Sequence, residues 1–284
     1  MTTMNGMVLQ TRQVSSALRR CLSNTFAALK IAARSARHHP SAAWPLPPRQ
    51  LAIAAGVCLA VFLIGLFFID APVMRAVVRL PRWLIDFFDA ITDYGKSGWF
   101  LWPLGLLFLA LAALPPVLTR LSQRVLVAVM VRVGFLFAAV AVPGLFTNIV
   151  KHVFGRARPG VGGSIDPTLF APFSWPAAYA GLPSGHATTA FSVLVAFGTL
   201  FPRARTALLI YAVLILFSRL AVTAHYPTDV ATGALVGAMG AVMVRRYFAL
   251  RGLGFAVRPD GRVKQLPGPS LKRIKAVARE LLAE

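Results

Sequence analysis

The chain has 284 residues, of which 57% belong to the set AVILMFWYC and only 14% are charged, against roughly 25% charged in a soluble domain. That much apolar surface excludes a chain disordered throughout, and two cysteines, Cys21 and Cys58, exclude a disulfide scaffold. The net charge of +21 leaves nucleic acid, anionic lipid or membrane topology as its meaning.

The distribution of charge decides among these. Residues 1–50 hold seven Lys/Arg and no acid, residues 245–284 hold ten Lys/Arg and three acids, and between them lie apolar blocks with sparse charge. Two basic tails around a membrane core are the expectation. A nucleic-acid partner is not expected, because such a protein interleaves basic and aromatic residues over one surface.

In chain order, segment 10–37 is Arg-, Ser- and Ala-rich without an acid. It reads as a basic tail, amphipathic on anionic lipid, with an organellar transit peptide as the alternative. The blocks 51–69 and 97–119 are long enough to cross a hydrocarbon core of about 30 Å as helices. Between them, 71–96 has mixed sign, and Val77, Val78, Trp83, Leu84, Phe87 and Phe88 predict a helix lying in the interface. A third span covers roughly 125–147 with Arg132 inside it. Residues 159–185 are a long loop rich in Pro and Gly, a place where function is often carried. Shorter or less pure spans follow at 186–202, 206–224 and 229–244. Leu271, Ile274, Val277 and Leu281 then predict a surface helix within 268–284.

The fold class expected is therefore all-α, a six-transmembrane helix bundle with basic cytoplasmic tails. Its parts are the N-terminal tail 1–50, a membrane domain 51–247 and a C-terminal tail 248–284. An even number of spans puts both basic termini in the cytoplasm, and the arginines in 120–124 and 202–205 face the same side. Loops 70–96, 148–185 and 225–228 then face the opposite side. Short loops and Ala/Arg richness fit a bacterial inner membrane with that side periplasmic.

Three polar clusters lie where a membrane pattern would not place them by chance. They are Lys151 with Arg158 and Pro159, then Pro183-Ser184-Gly185-His186, then Ser218-Arg219 with His225 and Asp229. On a continuous helix Lys151 and Arg158, seven apart, would share a face. Counting spans three to six brings all three clusters to one face of the membrane. Cations and histidines gathered at one membrane level are costly unless something anionic binds there.

The chemistry these residue types point to is phosphoryl transfer. Lys151, Arg158 and Arg219 would neutralise the phosphate oxygens. The backbone N–H groups of Ser184 and Gly185, at a helix start, would hold the same anion. His225 would attack phosphorus as a neutral imidazole, with Asp229 holding its other ring nitrogen. His186 would protonate the leaving oxygen and then activate water. Arg156 is either a further phosphate contact or a lipid anchor, and His152 is a satisfied polar residue. A metal bound by His186, His225 and Asp229 is the competing reading, and three adjacent cations weigh against it.

The clusters resemble the signature of the type-2 phosphatidic-acid phosphatase superfamily, K-x6-RP, PSGH and SR-x5-H-x3-D. Every specified position is present: Lys151, Arg158, Pro159, Pro183, Ser184, Gly185, His186, Ser218, Arg219, His225 and Asp229. The resemblance covers about 150–230 by motif. It implies the roles above, a site facing outward, no cofactor and no metal requirement. A lipid-linked phosphate or pyrophosphate is the substrate expected, since the site lies near headgroup level. Candidates are phosphatidic acid, phosphatidylglycerol phosphate, undecaprenyl pyrophosphate and lipid A. A lipid phosphotransferase using the same site and a membrane transporter with an anion site are the alternatives. The family's haloperoxidase branch, vanadate-dependent and soluble, fits six spans poorly.

Overall fold

A computed structural model describes residues 47–114 and 120–282, with isolated residues between 16 and 33. The amphipathic or transit-peptide reading of 10–37 lies largely outside the described residues. The described chain is mostly helical. Helix α1 (Pro48–Ile64), a π-helical turn (Gly65–Ile69) and α2 (Asp70–Val77) form one continuous run. They are followed by α3 (Arg82–Thr92), a 3-10 turn (Asp93–Gly95) and α4 (Gly98–Ala113). Then come α5 (Arg120–Phe154), α6 (Gly185–Leu200), α7 (Arg205–Ala221) and α8 (Pro227–Leu250). A hairpin of β1 (Phe255–Val257) and β2 (Val263–Gln265) precedes α9 (Leu271–Leu282).

Among the described residues five helical runs are long and apolar enough to cross a membrane: Pro48–Val77, Arg82–Ala113, Leu121–Phe154, Pro202–Ala221 and Pro227–Leu250. The block expected at 186–202 is α6, a helix of 16 residues. At 1.5 Å per residue it is about 24 Å long, short of the roughly 30 Å core. Its composition explains the length. Half its residues are buried, among them Ala187, Thr188, Ala190, Ser192 and Gly198, so one side of it is covered by protein. Helix α1 is the opposite case, with no buried residue, and it turns Ile53, Val57, Leu59 and Val61 outward.

The chain divides into two compact units. The first comprises Met1–Ser41, Trp102–Phe137 and Arg246–Glu284 as far as they are described. Here Phe135 stacks edge-on against both Phe248 and Phe255, with centroids 5.6 and 4.8 Å apart. Arg132, the charge inside the third expected span, donates to the carbonyls of Ala128 and Leu266 at 2.8 and 3.0 Å. The segment expected to be a basic tail thus holds the hairpin, paired antiparallel from Phe255↔Gln265 to Val257↔Val263. The surface helix expected in 268–284 is α9.

The second unit, Ala42–Leu101 with Ala138–Arg245, contains all three motif clusters. Helices α6 and α8 approach so closely that backbone touches backbone. A Cβ on Gly233 would collide with the Ser184 carbonyl, and one on Gly237 with the Thr188 carbonyl. Ser192 donates to the Gly237 carbonyl at 3.2 Å, and Thr188 shares a hydrogen bond of 3.0 Å with Thr147 of α5. Small residues four apart are the usual device for such contact in lipid, where dispersion and polar bonds drive helix association. Of the interfacial helix expected in 71–96, Val77 ends α2, and α3 holds Trp83 to Phe88 within the run Arg82–Ala113; α3 packs on α7 and leaves Trp83 and Phe87 exposed.

Gly233→Leu is expected to lower the thermal unfolding midpoint of the detergent-solubilised protein by several degrees, since overpacking costs about 1–3 kcal/mol. Gly56→Leu, at a position with nothing within 4 Å of an added Cβ, serves as control. Equal midpoints for the two variants would mean that the close α6–α8 contact contributes nothing.

Candidate active site

The first cluster begins on the last turn of α5, where Lys151 sits. The helix stops at Phe154 because Gly155 adopts φ +60°, the left-handed conformation that ends helices. A side chain there would also collide with the backbone of Ala171, whose N–H donates to the Gly155 carbonyl at 2.7 Å. Arg158 therefore stands beyond the helix end. The helical face shared with Lys151 does not exist, although the two charges still act on each other.

Arg156 is neither a phosphate contact nor a lipid anchor. It is wholly buried. Its guanidinium pairs with Asp70 at 2.7 Å and Asp229 at 2.5 Å, and donates to the Thr228 hydroxyl at 2.7 Å and the Pro167 carbonyl at 3.0 Å. The ring of Tyr226 lies 4.6 Å from it.

The second cluster opens α6. Ser184 is the residue before its first turn, with φ −70° and ψ 118°, and its side chain makes no capping bond. Its N–H donates to the Asp229 carbonyl at 3.0 Å. That corrects the expectation that this amide holds an anion; the hydroxyl is the group left without a partner. His186 lies against Gly95, where an added Cβ would come within 2.8 Å of its ring. Arg219, His225, Lys96 and Asp93 all act electrostatically on His186.

The third cluster spans the α7–α8 corner. Arg219, on the last turn of α7, donates to the Thr92 hydroxyl. The chain reverses through Thr223, at φ 52°, and reaches His225 just before α8. Asp229 in the first turn of α8 accepts from the Tyr226 N–H at 2.9 Å, as an acid there does in a capping box. The expected Asp229–His225 bond is long: Nδ1 lies 3.7 Å from the carboxylate and 2.8 Å from the Gly181 carbonyl. A carbonyl only accepts, so this nitrogen carries the proton and Nε2 has the free lone pair. Gly181 is required here, because a Cβ would come within 2.8 Å of the Arg156 carbonyl.

All the expected residues thus gather in one unit. Four buried polar atoms among them have no protein partner: Arg158 Nε, Ser184 Oγ, His186 Nε2 and Arg219 Nε. Among the described residues Lys151, Arg158 and Arg219 form no salt bridge. Among the described residues no group of three or more His, Cys, Asp or Glu is arranged to hold a metal. Sequence reasoning missed Asp70, Thr92 and Thr228. Asp70 did leave a signal, as an acid ending a charge-free apolar block.

Residues 132–252 match the PAP2 superfamily. A lipid A 1-phosphatase of Rhizobium johnstonii is 32% identical over 217 residues, covering 76% of this chain and 88% of that protein. The chain belongs to the PAP2 superfamily. A second lipid A 1-phosphatase, from Rhizobium etli, is 31% identical over 217 residues, 76% of this chain and 93% of its own length. The crystal structure of Aquifex aeolicus LpxE is 22% identical, with a TM-score of 0.45 over 63% of this chain and 95% of that one.

In this PAP2 protein burial pushes the His225 imidazole below its ordinary pKa, with Asp229 opposing and Arg219 and Arg158 adding to the shift. The neutral ring is therefore expected to persist below the usual value of about 6.5. NMR of 13C-labelled histidine, with the signal assigned by its loss in His225→Ala, checks this. Titration at or above the ordinary value would contradict the burial seen.

Proposed function

We propose that this chain is an integral membrane phosphatase that removes a phosphate group from a lipid through a phosphohistidine on His225. The observation that carries the reading is the set of four orphaned polar atoms beside three unpaired cations, all around a histidine whose free nitrogen is Nε2. Buried polar groups without partners are costly, and a phosphate would satisfy these four together. The first-turn amides of α6 add donors for the same anion.

The lone pair of His225 Nε2 attacks phosphorus while the bond from phosphorus to the lipid oxygen breaks. His186 gives its proton to that oxygen. A phosphate held among the cations supplies the negative charge that lets His186 carry this proton. His186, now neutral, takes a proton from water, the hydroxide attacks phosphorus, and the N–P bond breaks to release inorganic phosphate. Lys151, Arg158 and Arg219 stabilise the charge that develops on the phosphoryl oxygens. Asp229 acts on the cationic ring through space and through the turn it caps. No step calls on a metal or cofactor.

We take the substrate class to be lipid A carrying a 1-phosphate, supported by two relatives named lipid A 1-phosphatase that this chain matches over most of their length. With α6 counted as a short, protein-covered span the chain crosses six times. Both basic termini are then cytoplasmic and the site faces the periplasm, in keeping with Lys/Arg bias.

Purified protein is to be given lipid A, phosphatidic acid, phosphatidylglycerol phosphate and undecaprenyl pyrophosphate, with and without chelator. The fastest phosphate release is expected from lipid A, undiminished by chelator, with a product lighter by one HPO3. A phosphorylated acceptor in place of free phosphate would mark a phosphotransferase. His225→Ala is expected to lower turnover by a factor of about a thousand or more, as losing a nucleophile does, while the protein stays folded. Wild-type turnover in that variant would end the phosphohistidine reading.

A further inference from the structure

The mechanism above uses Asp229 but leaves unexplained the buried pair that holds it. Asp70, from the start of α2, and Arg156, from the loop after α5, are both wholly buried. Asp70 accepts from the Thr228 N–H at 3.0 Å, from the Thr228 hydroxyl at 2.5 Å and from Arg156 at 2.7 Å. Through Thr228 it clamps the first turn of α8, the same turn that carries Asp229. The π-helical turn Gly65–Ile69 immediately before Asp70 shifts the phase of the helix there, and Gly65 lies directly against Thr228, 2.5 Å from an added Cβ. π-bulges of this kind are frequent at functional sites.

One guanidinium faces two carboxylates, so the group Asp70–Arg156–Asp229 holds a net −1. Arg156 divides its two terminal nitrogens, Nη1 going to Asp229 Oδ1 and Nη2 to Asp70 Oδ2. The second oxygen of Asp229 is turned to Tyr226 N–H and His225. Without the charge of Asp70, Arg156 would neutralise Asp229 and the net −1 would vanish. That negative charge matters at the one moment when His225 becomes cationic, on forming its bond to phosphorus.

We propose that Asp70 and Arg156 are positioning residues that orient the Asp229 carboxylate and, by sharing one cation between two acids, keep a net negative charge beside His225. This rests on the reading of His225 as the nucleophile. Neither residue touches the substrate phosphate. Both act through Asp229.

The test compares Asp70→Asn with the double variant Asp70→Asn/Arg156→Gln. The single change keeps the shape and one acceptor oxygen, sets a donor NH2 in place of the other, and leaves the group neutral. The double change removes the cation as well and restores the net −1 on Asp229. For phosphate release from lipid A, Asp70→Asn is expected to lower kcat by about tenfold to a hundredfold, the range seen when the groups that orient a catalytic ligand are lost. KM should move less than about threefold, because an interaction made only in the transition state is removed. The double variant is expected to be faster than the single one. A merely structural role predicts the reverse order, because the double variant loses more of the buried network.

Wild-type kcat in Asp70→Asn, or a double variant slower than the single, would overturn the inference. If Asp70→Asn does not fold, the double variant decides alone: rates within about tenfold of wild type uphold the proposal. Failure of both to fold makes the pair structural and the inference wrong. His225→Ala, run beside them, separates the two levels. Should it stay active, the phosphohistidine reading itself fails; should it be inactive while Asp70→Asn is normal, only this inference fails.

Discussion

A guanidinium with no access to water must find all its partners in protein, and Arg156 is such a group. It draws on Asp70, Asp229, Thr228 and Pro167, so one side chain ties the start of α2, the start of α8 and the long loop after α5 together. Removing one partner from a buried ion network costs about 3–5 kcal/mol, because the charge that remains is stranded. Much of the local backbone can be understood as serving this convergence. The π-helical turn brings Asp70 to α8, Gly155 turns the chain at the end of α5, and Gly181 allows the 180s loop to lie on the Arg156 backbone, accepted by its carbonyl at 2.9 Å. The same loop then offers the Gly181 carbonyl to His225, so the tautomer of the proposed nucleophile is fixed by the chain that packs on the ion network.

Two arginines only two residues apart consequently do different work. Arg156 spends its charge entirely inside the protein. Arg158 has no carboxylate partner among the described residues and keeps an unpaired buried Nε. Desolvation lowers its pKa and Asp229 opposes the shift, which places Arg158 within the field of the network without being neutralised by it. The separation matters for an anion site. Were the cations of the cluster paired with Asp70 or Asp229, little net positive charge would remain to attract a phosphate. Arg156 and Thr228 occupy those carboxylates and so leave Lys151, Arg158 and Arg219 available.

The motif residues were legible because their types and spacing are short-range information, and the structure gathers them in one unit. What the sequence hid was long-range. Asp70 and Thr228 are 158 positions apart, and nothing local says that they meet. Asp70 could still have been suspected, since an acid at the end of an apolar block is expensive unless partnered. The helical spacing of Lys151 and Arg158 misled, because Gly155 breaks the helix between them. Residues 248–284 misled in another way. Their basic composition suggested a tail, yet Pro259-Asp260-Gly261 is a turn signature between Val257 and Val263. The Arg262 N–H bonds Asp260 at 2.9 Å within that turn, and Gly261 takes φ 78°. Length was legible for α1, which faces outward along its whole course, and not for α6. Half the residues of α6 are buried in protein, and hydropathy alone does not report which neighbours a helix has.

The cation excess also bears on how the proposed reaction would avoid trapping its own product. Inorganic phosphate carries the same kind of charge as the headgroup it came from, so the three cations alone would bind substrate and product alike. Two features oppose it. In the proposed covalent step His225 would become cationic beside Lys151, Arg158 and Arg219, a repulsion that the net negative group behind it would offset only in part. That residual repulsion favours cleavage of the N–P bond. The lipid portion of the substrate, by contrast, remains dissolved in the bilayer and holds the headgroup at the site's level until the bond to phosphorus breaks. Free phosphate has no such tether and is exchanged with water. On this reading affinity for substrate comes largely from the membrane, which lets the cations act chiefly on the transition state.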